Sequence, residues 1–268
     1  MTDAKHRDAK PSAPDRFRCR LEWGRRGARE AAARGDGLIL VDTLSFSTAV
    51  ATALSRGASV YPCAWDDDAQ ARADELGALC AVRRPEVPAR GAYSLSPQTL
   101  TALTPGDRLV IKSLNGATCV QLAEGASILF TGALVNASAV AAAADAWLGE
   151  SDADLTVIAC GERWEDADED GPLRVALEDY LAAGSVLSAL CEASKSPEAR
   201  ACQAAFRELR SELPEVLLEC GSGRELREMG FEEDVRFAAE LDRFDVVPVL
   251  RDGWLVARGA TTAGGCES

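Results

Sequence analysis

Apolar and polar positions follow one another in blocks along this chain, short apolar runs giving way to longer stretches with helical spacing. The clearest run, Leu38-Ile39-Leu40-Val41, has no polar break and predicts a strand covered on both faces. It leads straight into Asp42-Thr43-Leu44-Ser45-Phe46-Ser47-Thr48, after which Ala49 to Leu54 predicts a helix that Arg56-Gly57 stops. Upstream, residues 17–23 predict an edge strand and residues 27–34 an alanine-rich helix. Downstream come a short strand over 59–63, a helix over 67–77 capped by Asp66 or Asp67, a loop crossing over 83–94 and a short helix opened by Ser96-Pro97. Three further strands end in polar loops as the first does. Residues 108–112 run into Ser113-Leu114-Asn115-Gly116, residues 127–130 into Thr131-Gly132-Ala133-Leu134-Val135-Asn136, and residues 154–160 into Gly161-Glu162-Arg163. A helix over 139–148 separates the last two. Beyond residue 171 the pattern is helical: 172–193 with a break-prone Ala183-Gly184, then 196–213, 221–229 and 232–241. Residues 244–250 and 254–257 form a closing hairpin turned by Asp252-Gly253.

This alternation predicts a three-layer α/β/α fold with a mostly parallel central sheet. No repeat of fixed period occurs, but the recurring strand-to-polar-loop pattern is compatible with an internal duplication into two similar halves. Residues 1–15 read as a disordered tail, 16–260 as one α/β domain with a subdomain boundary near 150, and 261–268 as a flexible tail. Open parallel sheets bind ligands at the carboxyl ends of their strands. Asp42, Asn115, Asn136 and Glu162 are therefore expected on one rim. For Asp42 the local segment leaves two readings open, a turn cap and a catalytic carboxylate; the Ser47 and Thr48 hydroxyls are equally compatible with helix capping.

Charge narrows the partners. The formal net charge of the 268 residues is -14, with acid densest at 162–170 and 232–234. Such a surface repels nucleic acid and anionic membrane, and a small anionic substrate needs a cation or a local positive pocket to approach it. The single histidine, His6, sits in the amino-terminal tail. A Ser-His-Asp triad, a Cys-His dyad, a phosphohistidine and a histidine-ligated zinc all lack their imidazole. Nine cysteines without a C-x-x-C pair, no signal peptide and no apolar span of about 20 residues point to a reducing cytoplasm. Cys19 and Arg25 have the C-x5-R spacing of cysteine phosphatases, yet their segment reads as a strand and not as a glycine-rich phosphate cradle. A haloacid-dehalogenase motif fails at Leu44, and no G-x-x-x-x-G-K-[ST] is present.

Proton transfer and metal binding thus fall to carboxylates, Lys, hydroxyls, Cys or water. Glu162 directly follows a buried-type strand, and Glu178-Asp179 sit in a helix otherwise built of Leu, Ala and Val. The neighbouring Glu165, Asp166, Asp168, Glu169 and Asp170 read as a solvated loop. Hard oxygen donors suit Mg²⁺, so Asp42, Glu162, Glu178 and Asp179 form a candidate ligand set. Asn115-Gly116 opens a helix whose N–H groups could hold an anion, with Lys112 adding positive charge.

Taken together, Val41-Asp42-Thr43-Leu44-Ser45-Phe46-Ser47-Thr48, Asn115-Gly116-Ala117-Thr118, Gly132-Ala133-Leu134-Val135-Asn136-Ala137-Ser138, Cys160-Gly161-Glu162 and Ala176-Leu177-Glu178-Asp179 resemble the 2-phosphosulfolactate phosphatase family, the magnesium-dependent enzymes of coenzyme M biosynthesis. The resemblance implies hydrolysis of (2R)-2-phospho-3-sulfolactate to 3-sulfolactate and phosphate. It implies Asp42 as metal ligand or nucleophile, and Glu162, Glu178 and Asp179 as metal ligands or water-positioning bases. Ser47, Thr48, Asn115, Gly116 and Asn136 would hold phosphate or substrate oxygens, and Lys112 and Arg163 would balance the sulfonate and carboxylate. The chain departs from the family at Ser45, where an arginine is usual, and at Ser113-Leu114, where a doubled threonine is usual. Serine cannot replace the two-point recognition of an anion by arginine. A different 2-phospho acid as substrate, and binding of a small anion without turnover, stay open. So do aspartyl-phosphate and direct water attack, and a homo-oligomer is compatible with pairing through an apolar edge strand or the final hairpin.

Overall fold

The computed structural model describes residues 17–164, 173–191 and 193–259. Both expected tails, with His6 and Cys266, and the acids Glu165, Asp166, Asp168, Glu169 and Asp170 lie outside the described residues.

The first half of the chain runs β1 (Cys19–Trp23), α1 (Gly24–Ala33), β2 (Gly37–Val41), α2 (Phe46–Ser55), β3 (Ser59–Cys63), α3 (Ala69–Leu76), β4 (Leu79–Cys80), α4 (Pro97–Leu100), β5 (Arg108–Lys112) and α5 (Gly116–Leu122). It continues through β6 (Ile128–Gly132), α6 (Ala137–Glu150), β7 (Leu155–Ala159), β8 (Glu162–Arg163), β9 (Leu173–Arg174) and α7 (Leu177–Ala189). The remainder is α8 (Pro197–Leu209), α9 (Leu213–Glu219), α10 (Gly221–Glu228), α11 (Glu232–Ala238), β10 (Pro248–Arg251) and β11 (Trp254–Ala257). Nine strands make one sheet in the order β1-β7-β2-β6-β10-β11-β3-β5-β4, and β8 pairs with β9 separately.

The layers follow from the two-residue period of β2. Leu38 and Leu40 pack on one face with α1, α2 and α5, while Ile39 and Val41 pack on the other with α6, α7 and α8. All five β2 residues are buried, which is why its sequence carries no polar alternation. The expected three-layer α/β/α architecture is present.

One feature of the topology differs from the sequence expectation. The hairpin β10–β11 does not close an edge but enters mid-sheet, antiparallel to β6 on one side and to β3 on the other. It joins a parallel block of four strands to a parallel block of three, and the inequality gives no support to a duplication. By these pairings β3, β5 and β4 run opposite to β2, and twist of roughly 20–25° per strand turns the two blocks toward each other.

Smaller corrections have local causes. The α3 cap is Asp68, whose Oδ1 accepts from the N–H groups of Gln70 (3.0 Å) and Ala71 (3.1 Å), and not Asp66 or Asp67. Ala183-Gly184 does not break α7. A Cβ on Gly184 would lie 2.5 Å from Cys202 O and 2.7 Å from Phe206 Cβ, so the glycine lets α8 approach closely. Gly184→Ala is therefore expected to destabilise the fold by about 1–3 kcal/mol, read as a lower midpoint in urea, because backbone and not a mobile side chain blocks the new methyl. Among the described residues, no helix is long and apolar enough to cross a membrane.

Candidate active site

Asp42 follows the last residue of β2 and is buried. Its Oδ1 accepts from Phe46 N–H (3.2 Å) at the start of α2; its Oδ2 accepts from Gly116 N–H (2.8 Å) and Ser113 Oγ–H (3.3 Å) beyond β5. One carboxylate thus ties the ends of two strands from opposite blocks of the sheet. Gly116 is required there, since a Cβ would fall 2.4 Å from Phe46 Cδ1 and 2.7 Å from Asp42 Oδ2. The loop after Asp42 is wired by its own hydroxyls. Ser47 Oγ accepts from Asp42 N–H (3.0 Å) and donates to Leu40 O (3.3 Å), and Thr48 Oγ–H donates to Thr43 O (2.8 Å).

The amino end of α7 brings a second carboxylate to the same loop. Asp179 Oδ1 accepts from Thr43 N–H (2.7 Å) and Oδ2 from Gly161 N–H (2.8 Å), so it bridges the ends of β2 and β7. Glu178 beside it is buried, and its Oε2 accepts from the Cys220 thiol (3.3 Å). Glu162, on β8, accepts at Oε2 from Asn115 Nδ2 (2.8 Å). Both acids thereby reach the space around Asp42, and Asn115 serves to orient a carboxylate.

The electrostatics of this group are those of crowded acids. Burial, opposed by the hydrogen bonds from Phe46, Gly116 and Ser113 and reinforced by the Glu178 charge, raises the Asp42 pKa. Burial followed by the Asp42 and Glu178 charges raises Asp179 well above the ordinary carboxylate range. Glu162 is pushed up to about 7, first by burial and then by Asp42. Among the described residues none of the four enters a salt bridge. The oxygen donors fit a hard divalent cation, and the Arg174 guanidinium offsets part of the Glu162 and Glu178 charge. In this arrangement no three such side chains among the described residues stand close enough together to enclose one.

The other residues singled out from the sequence lie in varied positions. Ser47 and Thr48 hold backbone groups, and the Gly116 N–H is taken by Asp42. Asn136, fully buried, accepts from Ala133 N–H (2.9 Å) at Oδ1 and donates to Val246 O (3.1 Å), fastening the chain before β10. Lys112 Nζ donates to Asp67 O (2.7 Å) and lies over the Trp65 ring. Arg163 neighbours Glu162 on β8, so the two leave opposite faces of the strand. Cys19 lies buried on β1 with its thiol pushed up to about 12 by burial, the reverse of what a thiolate nucleophile needs.

Sequence reading passed over Arg84 and gave Asp234, within the acid-dense and family-like stretch 230–234, no role in the site. Arg84 Nε donates to Asp234 Oδ2 (2.8 Å), and Nη2 donates to the hydroxyl of Ser45 and to Leu95 O (3.3 Å). A guanidinium therefore does stand against Ser45, delivered from a distant loop. Arg83-Arg84-Pro85-Glu86 and the acids that open α11 look like solvated charge in sequence.

The family model described as 2-phosphosulpholactate phosphatase matches residues 27–253. A protein of Carboxydothermus hydrogenoformans named "Probable 2-phosphosulfolactate phosphatase" is 30% identical over 231 residues, covering 84% of this chain and 91% of its own length. Proteins of the same name from Parasynechococcus marenigrum (31% identical; 81% of this chain and 90% of the relative) and Microcystis aeruginosa (28%; 81% and 90%) are similar to it along nearly the same span. The match runs from α1 to the turn between β10 and β11 and so takes in Asp42, Glu162, Glu178 and Asp179, and by it the chain belongs to the 2-phosphosulfolactate phosphatase family.

Proposed function

We propose that the chain hydrolyses the phosphate monoester of a small 2-phospho acid, foremost (2R)-2-phospho-3-sulfolactate, with Mg²⁺ held by carboxylates of the Asp42 group. The observation that supports it best is that Asp42, at the end of β2, and Glu178 and Asp179, at the head of α7, are buried, that the Glu178 charge raises the pKa of both aspartates, and that none of the three enters a salt bridge among the described residues. Several buried negative charges without a partner are costly, and a divalent ion offsets that cost. Asp42 and Glu178 are the residues that would hold it, with Glu162 at the edge. When bound, the metal neutralises phosphate charge and polarises the phosphorus for attack.

The chain's own groups do the rest. Backbone N–H groups of Phe46 and Gly116 fix the Asp42 carboxylate, so no reorganisation is needed when substrate arrives. Glu162, with its pKa near 7, is suited to hold a proton and pass it to the departing alkoxide oxygen, and Asn115 keeps it oriented. Asp179 acts on the Thr43 and Gly161 backbone and keeps β2 and β7 in register at the site. The free thiols of the described cysteines suit a reducing cytoplasm.

Phosphate release from 2-phospho-3-sulfolactate and other 2-phospho acids in the presence of Mg²⁺ tests the reading. The expected outcome is the highest kcat/KM for 2-phospho-3-sulfolactate. Failure to turn over any of them, with a ligand still raising Tm, would mark the chain as a binder of small anions instead.

A further inference from the structure

A cavity of about 770 Å³ has Arg84 and Phe231 in its lining, where Arg83, Arg90 and Lys112 are matched by as many or more acids, Asp66 to Asp68 and Glu86. It does not include Asp42, Glu162 or Glu178, but two strand ends connect it to Asp42. Lys112 precedes Ser113, whose hydroxyl binds Asp42, and Arg84 touches Ser45, three residues after Asp42. Three residues span at most about 10 Å, so the Ser45 and Asp42 backbones lie no farther apart than that.

The cavity's cations are not equivalent. Arg83 and Arg90 both pair with Glu86 (2.9 and 3.0 Å) at the exposed rim, and the Lys112 ammonium rests on a carbonyl. Arg84 is held from three sides. Its side chain is 13% exposed, its Nε is on Asp234, its Nη2 is on Ser45 and Leu95, and its guanidinium lies 5.7 Å from the Phe231 ring centroid. Asp234 is in turn buried and fixed by Ser96 Oγ–H (2.6 Å). What remains is Nη1, whose two N–H donors have no partner among the described residues, on a side chain that lines the cavity. A rigid guanidinium with one free nitrogen is a preorganised donor pair for anionic oxygens.

We propose that Arg84 is the specificity-determining residue of this site, its Nη1 holding the second anionic group of the substrate, carboxylate or sulfonate, while the phosphate lies toward Asp42. The inference rests on the phosphatase reading above. Charge-assisted hydrogen bonds are worth about 1.5–3 kcal/mol, which corresponds to roughly tenfold to a hundredfold in affinity.

The test compares wild type with Arg84→Lys and Arg84→Gln on 2-phospho-3-sulfolactate, 2-phospholactate and phenyl phosphate, which lacks a second anion. Arg84→Lys keeps a cation for Asp234 while removing the fork, so it carries the test if the Gln variant does not fold. The expected result is a KM raised about tenfold to a hundredfold for 2-phospho-3-sulfolactate with kcat changed only a few-fold, and a loss at least about tenfold greater than that on phenyl phosphate. A comparable loss on 2-phospholactate assigns Nη1 to the carboxylate, and a loss confined to the sulfonated substrate assigns it to the sulfonate; either supports the proposal. Equal proportional losses on all three substrates, or no loss, would overturn it. If wild type releases phosphate from none of them, the phosphatase reading fails by itself. Binding of 3-sulfolactate, read as a rise in Tm, then decides: a rise lost in Arg84→Lys supports the subsite, and a rise that persists, or none in wild type, overturns it.

Discussion

Asp42→Asn is expected to lower kcat for phosphate release by about a hundredfold to a thousandfold, the scale on which loss of one preorganised electrostatic group acts. The substitution keeps the side chain's volume, and the site is buried, so packing is preserved. It does place an amide nitrogen opposite either Phe46 N–H or Gly116 N–H, both of which need an acceptor. That mismatch costs about 1–3 kcal/mol, and it is partly offset because a buried charge repelled by Glu178 is removed. The chain should therefore stay folded, with an altered Tm and near-native circular dichroism, while catalysis is lost. A kcat within tenfold of wild type would return Asp42 to the role of a turn cap.

The second large effect concerns pH and metal together. Asp42, Asp179 and Glu162 all have folded pKa values above their ordinary ones, so the folded chain binds more protons than the unfolded chain between those values. For acids shifted upward the associated stability is full below the unfolded pKa near 4 and is lost as pH rises toward the folded pKa. For Glu162 that window runs from the mid-4s to about 7. In chelator, Tm is accordingly expected to fall between pH 5 and pH 8 by several degrees, at about 2–4 °C per kcal/mol for a chain of this size. Millimolar Mg²⁺ at pH 8 should restore much of the loss, because an ion that binds only the folded carboxylates stabilises by mass action. Glu162→Gln should flatten the part of the slope nearest neutrality. Scanning calorimetry across this range, with and without Mg²⁺, reads all three; a Tm that rises from pH 5 to pH 8 in chelator would mean the acids are not crowded as described.

Asp42 was legible in the sequence because its position depends on local order alone, an unbroken apolar strand ending in a carboxylate. The same holds for Glu162 after β7 and for Glu178-Asp179, acids at the head of an apolar helix. Ser47 and Thr48 show the limit of such reading. A hydroxyl at a helix start satisfies backbone or ligand with equal chemistry, and only the contacts with Leu40, Asp42 and Thr43 separate the two. The pairing of Arg84 with Asp234 was illegible for a different reason. They are 150 residues apart, each inside a run of charge that local pattern assigns to solvent, and only the docking of α11 beside α4 makes them a pair. The hairpin's place in mid-sheet is likewise nonlocal, since Asp252-Gly253 fixes its turn but not which strand edges it fills. Gly184 misled because a glycine in a helix signals a break and a close helix contact alike, and only the α8 backbone distinguishes them.

The most direct test of a cation-assisted carboxylate centre is phosphate release from 2-phospho-3-sulfolactate followed through one cycle: Mg²⁺ present, Mg²⁺ removed by chelator, Mg²⁺ restored. Release that stops on chelation and returns with the ion in wild type, and is absent throughout in Asp42→Asn, is the expected result. Release that continues undiminished through chelation, or that Asp42→Asn sustains at the wild-type rate, would contradict it.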